Sequence, residues 1–217
     1  MNKKLNRIKR WISKMFLFKN SNEYWKKRYQ KGGNSGPGSY NHLAEFKADV
    51  INGFIDKENI NSVIEFGCGD GNQLKLMNYL KYTGFDVSTT ALGICKSIFH
   101  GDQTKEFKLT DDYANEKADL TLSLDVIFHL VEDRIFHEYM TRLFDSSLNF
   151  VIIYSSNTNQ NPKNHSPHVK HRKFTDWTEK NAKDFKLINT IKNRYPFDGT
   201  DNTSFSDFYI YQRIQNL

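Results

Sequence analysis

The run Glu65-Phe66-Gly67-Cys68-Gly69-Asp70-Gly71 follows directly on Ser62-Val63-Ile64, a stretch with the apolar character of a buried strand. Glycines at alternate positions let the backbone reverse sharply and let a ligand approach main-chain N–H groups without Cβ interference. Helical spacing over residues 72–81 completes a strand–turn–helix unit, the context in which a glycine pattern signals a binding site. The spacing is G-x-G-x-G, and Asn72 stands where a dinucleotide fingerprint places its later glycine. The turn therefore argues against a nicotinamide dinucleotide.

The remainder alternates in a way that suits a parallel sheet. A helix over 42–55 feeds the first strand at 62–66. Strands are expected at 82–87, 106–110, 118–124 and 150–155, with helices at 72–81, 88–99, 132–144 and 176–183. Two late strands, 186–192 and 207–213, share a short turn-like connector and should pair antiparallel. Residues 156–173 form a polar loop. The Gly- and Ser-rich stretch from Gly32 to Ser39 divides a basic arm, residues 1–31, from the body, residues 32–217.

The formal net charge of +6 belongs to that arm. Residues 1–31 hold eleven Lys or Arg against the single acid Glu23, whereas the other 186 residues hold 20 bases and 24 acids. Leu5, Ile8, Trp11, Ile12, Met15 and Phe16 recur at three- and four-residue steps between the bases, which predicts a basic amphipathic helix. Such a helix suits an anionic membrane surface, with docking on protein or RNA as alternatives. Its longest apolar run, Met15 to Phe18, is too short for a secretory signal. A mean hydropathy of −0.69 with 26% charged residues excludes a multispan membrane protein. Two cysteines, Cys68 and Cys95, are too few for a disulfide scaffold or a four-thiolate zinc site, so a thiol-reducing, cytoplasmic setting is expected, peripheral on the inner membrane if the arm meets lipid.

The glycine turn and three further positions resemble class I S-adenosylmethionine-dependent methyltransferases, over about residues 60–155. The resemblance implies a Rossmann-like α/β fold: a seven-stranded, mostly parallel sheet with an antiparallel last strand, preceded here by the amphipathic N-terminal helix. It implies S-adenosylmethionine as cofactor, held by Glu65, Gly67, Gly69, Gly71 and Asp86, the last on the ribose hydroxyls. Asp111 or Asp112 would face the adenine, and Asp125 lies in the fourth-strand motif Leu122-Ser-Leu-Asp125-Val-Ile-Phe-His129-Leu. Residues 24–40 look like the lid that related small-substrate enzymes fold over the cofactor. No Asn-Pro-Pro-Tyr type motif follows the fourth strand, so DNA-base methylation is not expected. Length, lid and the loop after the fifth strand resemble methyltransferases of bacterial capsule or lipopolysaccharide biosynthesis, which implies O-methylation of a sugar hydroxyl, or of a phosphate or phosphoramidate, on a glycan precursor.

Methyl transfer to oxygen requires positioning and one base. His129 is the first candidate, because its unperturbed imidazole titrates near neutrality and it ends the fourth strand's motif. Asp125 is a carboxylate that orients a substrate hydroxyl or binds the cofactor's methionine amine, or else a helix cap, and His168 is a second catalytic candidate. Between Ser155 and Thr175 there is no carboxylate. His165, His168, His171 and Arg172 of that loop are candidate contacts for an anionic acceptor. His165-x-x-His168-x-x-His171 also has the look of a metal triad, but Pro167 interrupts a regular helix and no acid stands near, so no metal is expected. A small-metabolite methyltransferase, a catalytically silent cofactor-binding scaffold, and a membrane- or RNA-binding module remain as competing readings.

Overall fold

The computed structural model describes residues 18–162 and 166–214. The amphipathic helix expected before residue 17 and the candidate His165 lie outside the described residues.

Helix α1 (Ser21–Gln30) and helix α2 (Asn41–Glu58) precede the sheet. Strand β1 (Val63–Phe66) leads through the glycine turn to β2 (Tyr82–Asp86), α3 (Thr89–Ile98) and β3 (Lys105–Leu109). Then come β4 (Ala118–Leu124), α4 (Asp133–Asp145), β5 (Ser147–Ser155), α5 (Phe174–Asn181), β6 (Phe185–Ile191) and β7 (Asp207–Arg213). The seven strands form one sheet in the order β3-β2-β1-β4-β5-β7-β6, with β7 antiparallel to both its neighbours and the other pairs parallel. This is the Rossmann-like fold expected from the sequence.

All four residues of β1 are buried, as a central strand covered on both faces requires. On one face Ile51, Ile55 and Leu92 from α2 and α3 meet Leu120, Leu122, Ile152 and Ile210. On the other, Phe136, Met140, Leu143 and Phe144 of α4 recur at helical spacing and cover Ile64, Phe66, Val151 and Ile153. Side chains of β5 thus divide between the two cores by the alternation of a strand.

The one element that differs in kind is the helix expected over 72–81. Only a short 3-10 turn, Gln73–Leu76, forms there. Asn52 of α2 explains it: its side-chain amide donates to the Leu76 carbonyl at 2.8 Å and its oxygen accepts the Asn78 N–H at 3.0 Å, taking up the peptide groups that a helix would have used. Elsewhere the boundaries shift by a few residues, the largest changes being β5, which starts at Ser147, and α2, which ends at Glu58.

Helix α1 lies against the body. Ser21 Oγ donates to Glu132 Oε2 at 2.6 Å and accepts the Val131 N–H at 2.9 Å, and Tyr29 is buried at the other end. Strand order reverses between β1 and β4, so a crevice opens at their C-terminal ends, beneath α1.

Candidate active site

The crevice is a cavity of about 360 Å³ lined by the glycine turn, the ends of β1, β2 and β4, and side chains from α1, α2 and α4. Gly67 and Gly69 both have left-handed backbones, φ +85° and +60°. A Cβ on Gly67 would stand 2.5 Å from Val126 Cγ2, and one on Gly69 would strike Ser35 Oγ. The amides of this turn are already engaged: the Gly67 and Cys68 N–H groups donate to the Phe85 carbonyl at 2.7 and 3.0 Å, and the Gly69 N–H donates to Asp86 Oδ2 at 3.0 Å. Three consecutive amides spent on β2 leave no cradle for a pyrophosphate, in keeping with the missing later glycine.

Asp86 ends β2, buried at the cavity edge. Its Oδ1 accepts the Ser88 N–H at 2.8 Å, and burial pushes its carboxyl up to about 6 in spite of the backbone bonds to Ser88 and Gly69. Glu65 is deeper. Burial lifts it to about 7, against the Tyr82 hydroxyl, which donates to Oε2 at 2.7 Å, and the charge of Lys47. Beyond β3, Asp111 lines the cavity with Thr110, while Asp112, exposed beside it, lies outside the lining.

At the opposite end of the cavity, Asp125 has a left-handed backbone at φ +58°, which an aspartate tolerates better than most residues. Its Oδ2 binds Lys47 Nζ at 2.8 Å, and its Oδ1 accepts the Ser206 hydroxyl at 2.9 Å. It caps no helix. Lys47 is 1% exposed and sits on the stripe Leu43–Lys47–Ile51 that α2 turns to the core. A lysine interrupting such a stripe is the signal by which sequence alone can find it.

His129 also lines the cavity, walled by Trp25, whose ring meets it edge-on at 4.8 Å. Its Nδ1 lies 3.0 Å from the His168 carbonyl, which can only accept, so Nδ1 carries the proton and Nε2 keeps its lone pair. Burial among rings lowers its pKa to about 4, and the imidazole is neutral at physiological pH. The His168 ring stacks on Tyr24 at 4.0 Å and beside His129 at 5.4 Å.

The rest of that loop turns elsewhere. Arg172 donates to the Leu130 and Val131 carbonyls at 2.6 and 2.7 Å, pairs with Asp133 at 2.7 Å and lies over the Phe136 ring. Lys170 pairs with the same Asp133, and His171 Nδ1 meets Ser156 Oγ at 2.7 Å. Neither Arg172 nor His171 is among the cavity lining residues.

The loop between α1 and α2 closes over the glycine turn. Ser35 N–H donates to Asp70 Oδ2 at 2.9 Å, Asp70 N–H donates to Ser35 Oγ at 3.0 Å, and Tyr40 O–H donates to Asp70 Oδ2 at 2.7 Å. Burial alone would raise the Asp70 carboxyl, but the bonds from Ser35, Tyr40 and Asn72 outweigh it and hold Asp70 below the usual carboxylate range.

Residues 64–146 match the family model described as a methyltransferase domain. The middle of the chain thus matches a methyltransferase domain. Among solved structures similar to it, the N-methyltransferase NodS from Bradyrhizobium japonicum WM9, in complex with S-adenosyl-L-homocysteine, superposes with a TM-score of 0.69 at 12% identity, covering 90% of this chain and 100% of that one. The methyltransferase domain of bacterial CtHen1 gives 0.62 at 18% identity, over 78% and 97% of the two chains. Magnesium protoporphyrin IX methyltransferase from Synechocystis PCC 6803, with bound S-adenosyl-homocysteine, gives 0.58 at 15% identity, over 77% and 82%. What is shared at such identities is the fold. No curated protein matches the chain.

The methyltransferase cavity fits S-adenosylmethionine on its own chemistry. The carboxylate oxygens of Asp86 accept backbone N–H groups of Gly69, Val87 and Ser88, which leaves lone-pair capacity toward a vicinal diol, one strand from the glycine turn. Asp86 is thus suited to hold a ribose, and Asp111 lines the same cavity. Gly67 and Gly69 keep the floor between them free of side chains.

Proposed function

We propose that the protein methylates an oxygen of a carbohydrate, a sugar hydroxyl on the precursor of a bacterial surface glycan, with His129 as the general base. The observation that carries this reading is the His129 imidazole in the cavity wall, with Nδ1–H fixed on the His168 carbonyl and the Nε2 lone pair left to take a proton. S-adenosylmethionine, when bound, supplies an electrophilic methyl group on a sulfonium. His129 Nε2 then accepts the proton of the attacking hydroxyl, Asp86 fixes the nucleoside by its sugar, and Trp25 with the α1 lid excludes water from the acceptor side.

A sugar hydroxyl fits better than a phosphate or phosphoramidate. Arg172 and Lys170 are engaged by Asp133 and by backbone carbonyls, and the cations that line the cavity are engaged too, Arg134 by Glu138, Arg142 by the Thr110 carbonyl and Lys47 by Asp125, so a dianion would have to compete for them. His168, stacked on Tyr24 and His129, supports the base in this reading, and His165 and His171 remain proposed acceptor contacts through the loop. A free small metabolite as acceptor is the second reading, favoured by the closed loop over a cavity of about 360 Å³. Among the described residues no helix is long and apolar enough to cross a membrane. Peripheral attachment of a cytoplasmic enzyme through residues 1–20 is the proposed means of meeting a lipid-linked precursor.

The test is transfer of labelled methyl from S-adenosylmethionine to a panel of nucleotide sugars, sugar phosphates, lipid-linked glycans and free metabolites. Labelling of a carbohydrate oxygen that is lost in His129→Ala supports the proposal. Labelling confined to non-carbohydrate metabolites, or full activity in His129→Ala, overturns it.

A further inference from the structure

Cys68 and Cys95 are the two cysteines of the sequence, and the fold brings them together behind the glycine turn. Cys68 stands between Gly67 and Gly69 and lines the cavity, while Cys95 lies on the buried face of α3, enclosed and outside the lining. The two thiols share a hydrogen bond, and Cys95 Sγ donates to the Gly69 carbonyl at 3.2 Å. Because that carbonyl takes the Cys95 proton, it is the Cys68 S–H that points at the Cys95 sulfur. Packing around both is tight: a Cβ on Gly71 would stand 3.0 Å from Cys95 Sγ, and one on Gly84 2.9 Å from Cys68 Sγ. Burial by itself asks only for two small side chains, since a free cysteine packs as a small apolar residue. It does not ask for two sulfurs in contact.

The two sulfurs bracket the carboxylate of Asp86. Its Oδ2 takes the N–H of Gly69, the residue after Cys68, and its Oδ1 takes the N–H of Ser88, the N-cap of the helix that carries Cys95. A covalent bond would set the sulfurs about 2 Å apart, closer than any hydrogen bond, and would draw the turn and α3 together across the groups that hold Asp86. It would also leave the Gly69 carbonyl without its thiol donor.

We propose that Cys68 and Cys95 are a modification site, an oxidisable pair that a small peroxide entering the cavity joins as a disulfide, weakening the hold of Asp86 on the cofactor. The Cys68 sulfur attacks one peroxide oxygen, the O–O bond breaks, and the departing hydroxide leaves with the thiol proton as water, so that Cys68 becomes a sulfenic acid. Cys95 Sγ then attacks the Cys68 sulfur: the S–S bond forms, the S–O bond breaks, and hydroxide leaves with the Cys95 proton as a second water. The pair of sulfurs loses two electrons and the peroxide gains them. A dithiol reverses the change. Oxidation is slow, because the hydrogen bond to Cys95, burial and the charges of Asp86 and Glu65 hold Cys68 as a thiol, well above the usual thiol pKa. A slow pair stays reduced in a thiol-reducing setting and closes only under sustained oxidant.

The effect on binding rests on the reading of the cavity as the cofactor site, and the test separates the two. The full chain is treated with hydrogen peroxide, with and without saturating S-adenosyl-homocysteine, and followed by mass spectrometry of the intact protein and its peptides. The expected product has lost two hydrogens and links the Cys68 peptide to the Cys95 peptide, and it forms more slowly where the ligand covers Cys68. In calorimetry the linked protein should bind S-adenosyl-homocysteine about tenfold more weakly or worse, the worth of a charge-assisted hydrogen bond, and dithiothreitol should restore it. Cys95→Ser keeps a donor for the Gly69 carbonyl, so it should bind as untreated wild type does and form no link. A loss of affinity in treated Cys95→Ser equal to that of wild type would place the effect outside the pair and overturn the inference. Should that variant not fold, wild type decides alone: absence of the link, linking at the same rate under saturating ligand, or undiminished affinity in the linked protein would each overturn it. Failure of the reduced protein to bind S-adenosyl-homocysteine would instead bring down the cofactor reading, and the switch with it.

Discussion

Ser35 and Asp70 exchange hydrogen bonds in both directions, Ser35 N–H to Asp70 Oδ2 at 2.9 Å and Asp70 N–H to Ser35 Oγ at 3.0 Å. The loop between α1 and α2 is thereby tied to the same turn that borders the cavity, and the Tyr29 hydroxyl adds a third bond with Ser35 Oγ, 2.8 Å away. Ser35→Ala removes the hydroxyl that serves both partners, a loss of about 1 kcal/mol per bond. The expected result is cleavage of residues 31–40 by limited proteolysis roughly five- to tenfold faster than in wild type, with a nearly unchanged melting temperature. Equal cleavage rates would show that the loop is held by other contacts.

Asp86→Asn tests the ribose contact. An amide cannot accept from Gly69 and Ser88 at both ends, and it lacks the charge, so affinity for S-adenosylmethionine should fall by about two orders of magnitude in calorimetry. The wild-type carboxylate should show the same loss through protonation. Its pKa is raised to about 6, so the charged acceptor is present above that pH and affinity declines as pH falls through it. Asp86→Asn should lack this pH dependence.

His129 has the opposite sign. Its pKa is lowered to about 4, so Nε2 stays deprotonated from pH 8 down to pH 5. With cofactor saturating, kcat should be flat with respect to this group across that range, and an acid limb near 6.5 would contradict the buried geometry. His129→Ala should lower kcat by about 10²- to 10⁴-fold, the usual contribution of a positioned base, with little change in affinity for S-adenosyl-homocysteine.

Lys47 and Asp125 couple in stability. Asp125→Asn keeps a residue that accepts the left-handed backbone but strands a buried ammonium, which should cost about 3 kcal/mol in denaturant unfolding. Adding Lys47→Met to that variant should recover most of the loss. Simple additivity of the two single changes would mean that the ion pair is not coupled.

Deleting residues 1–17 leaves Ser21 and its bonds to Glu132 and Val131 intact. The truncated protein should keep its melting temperature and its turnover of a soluble acceptor, while co-flotation with anionic vesicles is lost. Full flotation after truncation would place the membrane contact on the body.

The parts of the site that were legible in the sequence are those whose geometry is local. Glycines 67, 69 and 71 take positive φ within one turn, and Asp86 lies at the end of a strand whose apolar pattern is plain. Lys47 and Ser206 escaped because their partners are distant: Lys47 reaches Asp125 across 78 residues and Ser206 reaches it across 81. The charges of residues 170–172 were visible as a run, but their shared acid, Asp133, lies on another helix. The same distance hid the short turn at Gln73–Leu76, since Asn52, 24 residues upstream of Leu76, intercepts the peptide groups there.

The antiparallel strand has a further consequence. Because β7 runs against β5, the segment 192–206 returns to the end of the sheet where β4 finishes, and it is fastened there by Ser206 on Asp125, by Asn202 on His42 and by Arg194 on Asp49. None of residues 192–206 lines the cavity itself, so the segment bears on it only from behind, through Ser206 on Asp125 and through Phe205 against Phe128 and His171. Changing the 192–206 segment should therefore act on the cavity through the placement of Asp125 and not by direct contact, a route by which a late stretch of chain tunes a site it does not line.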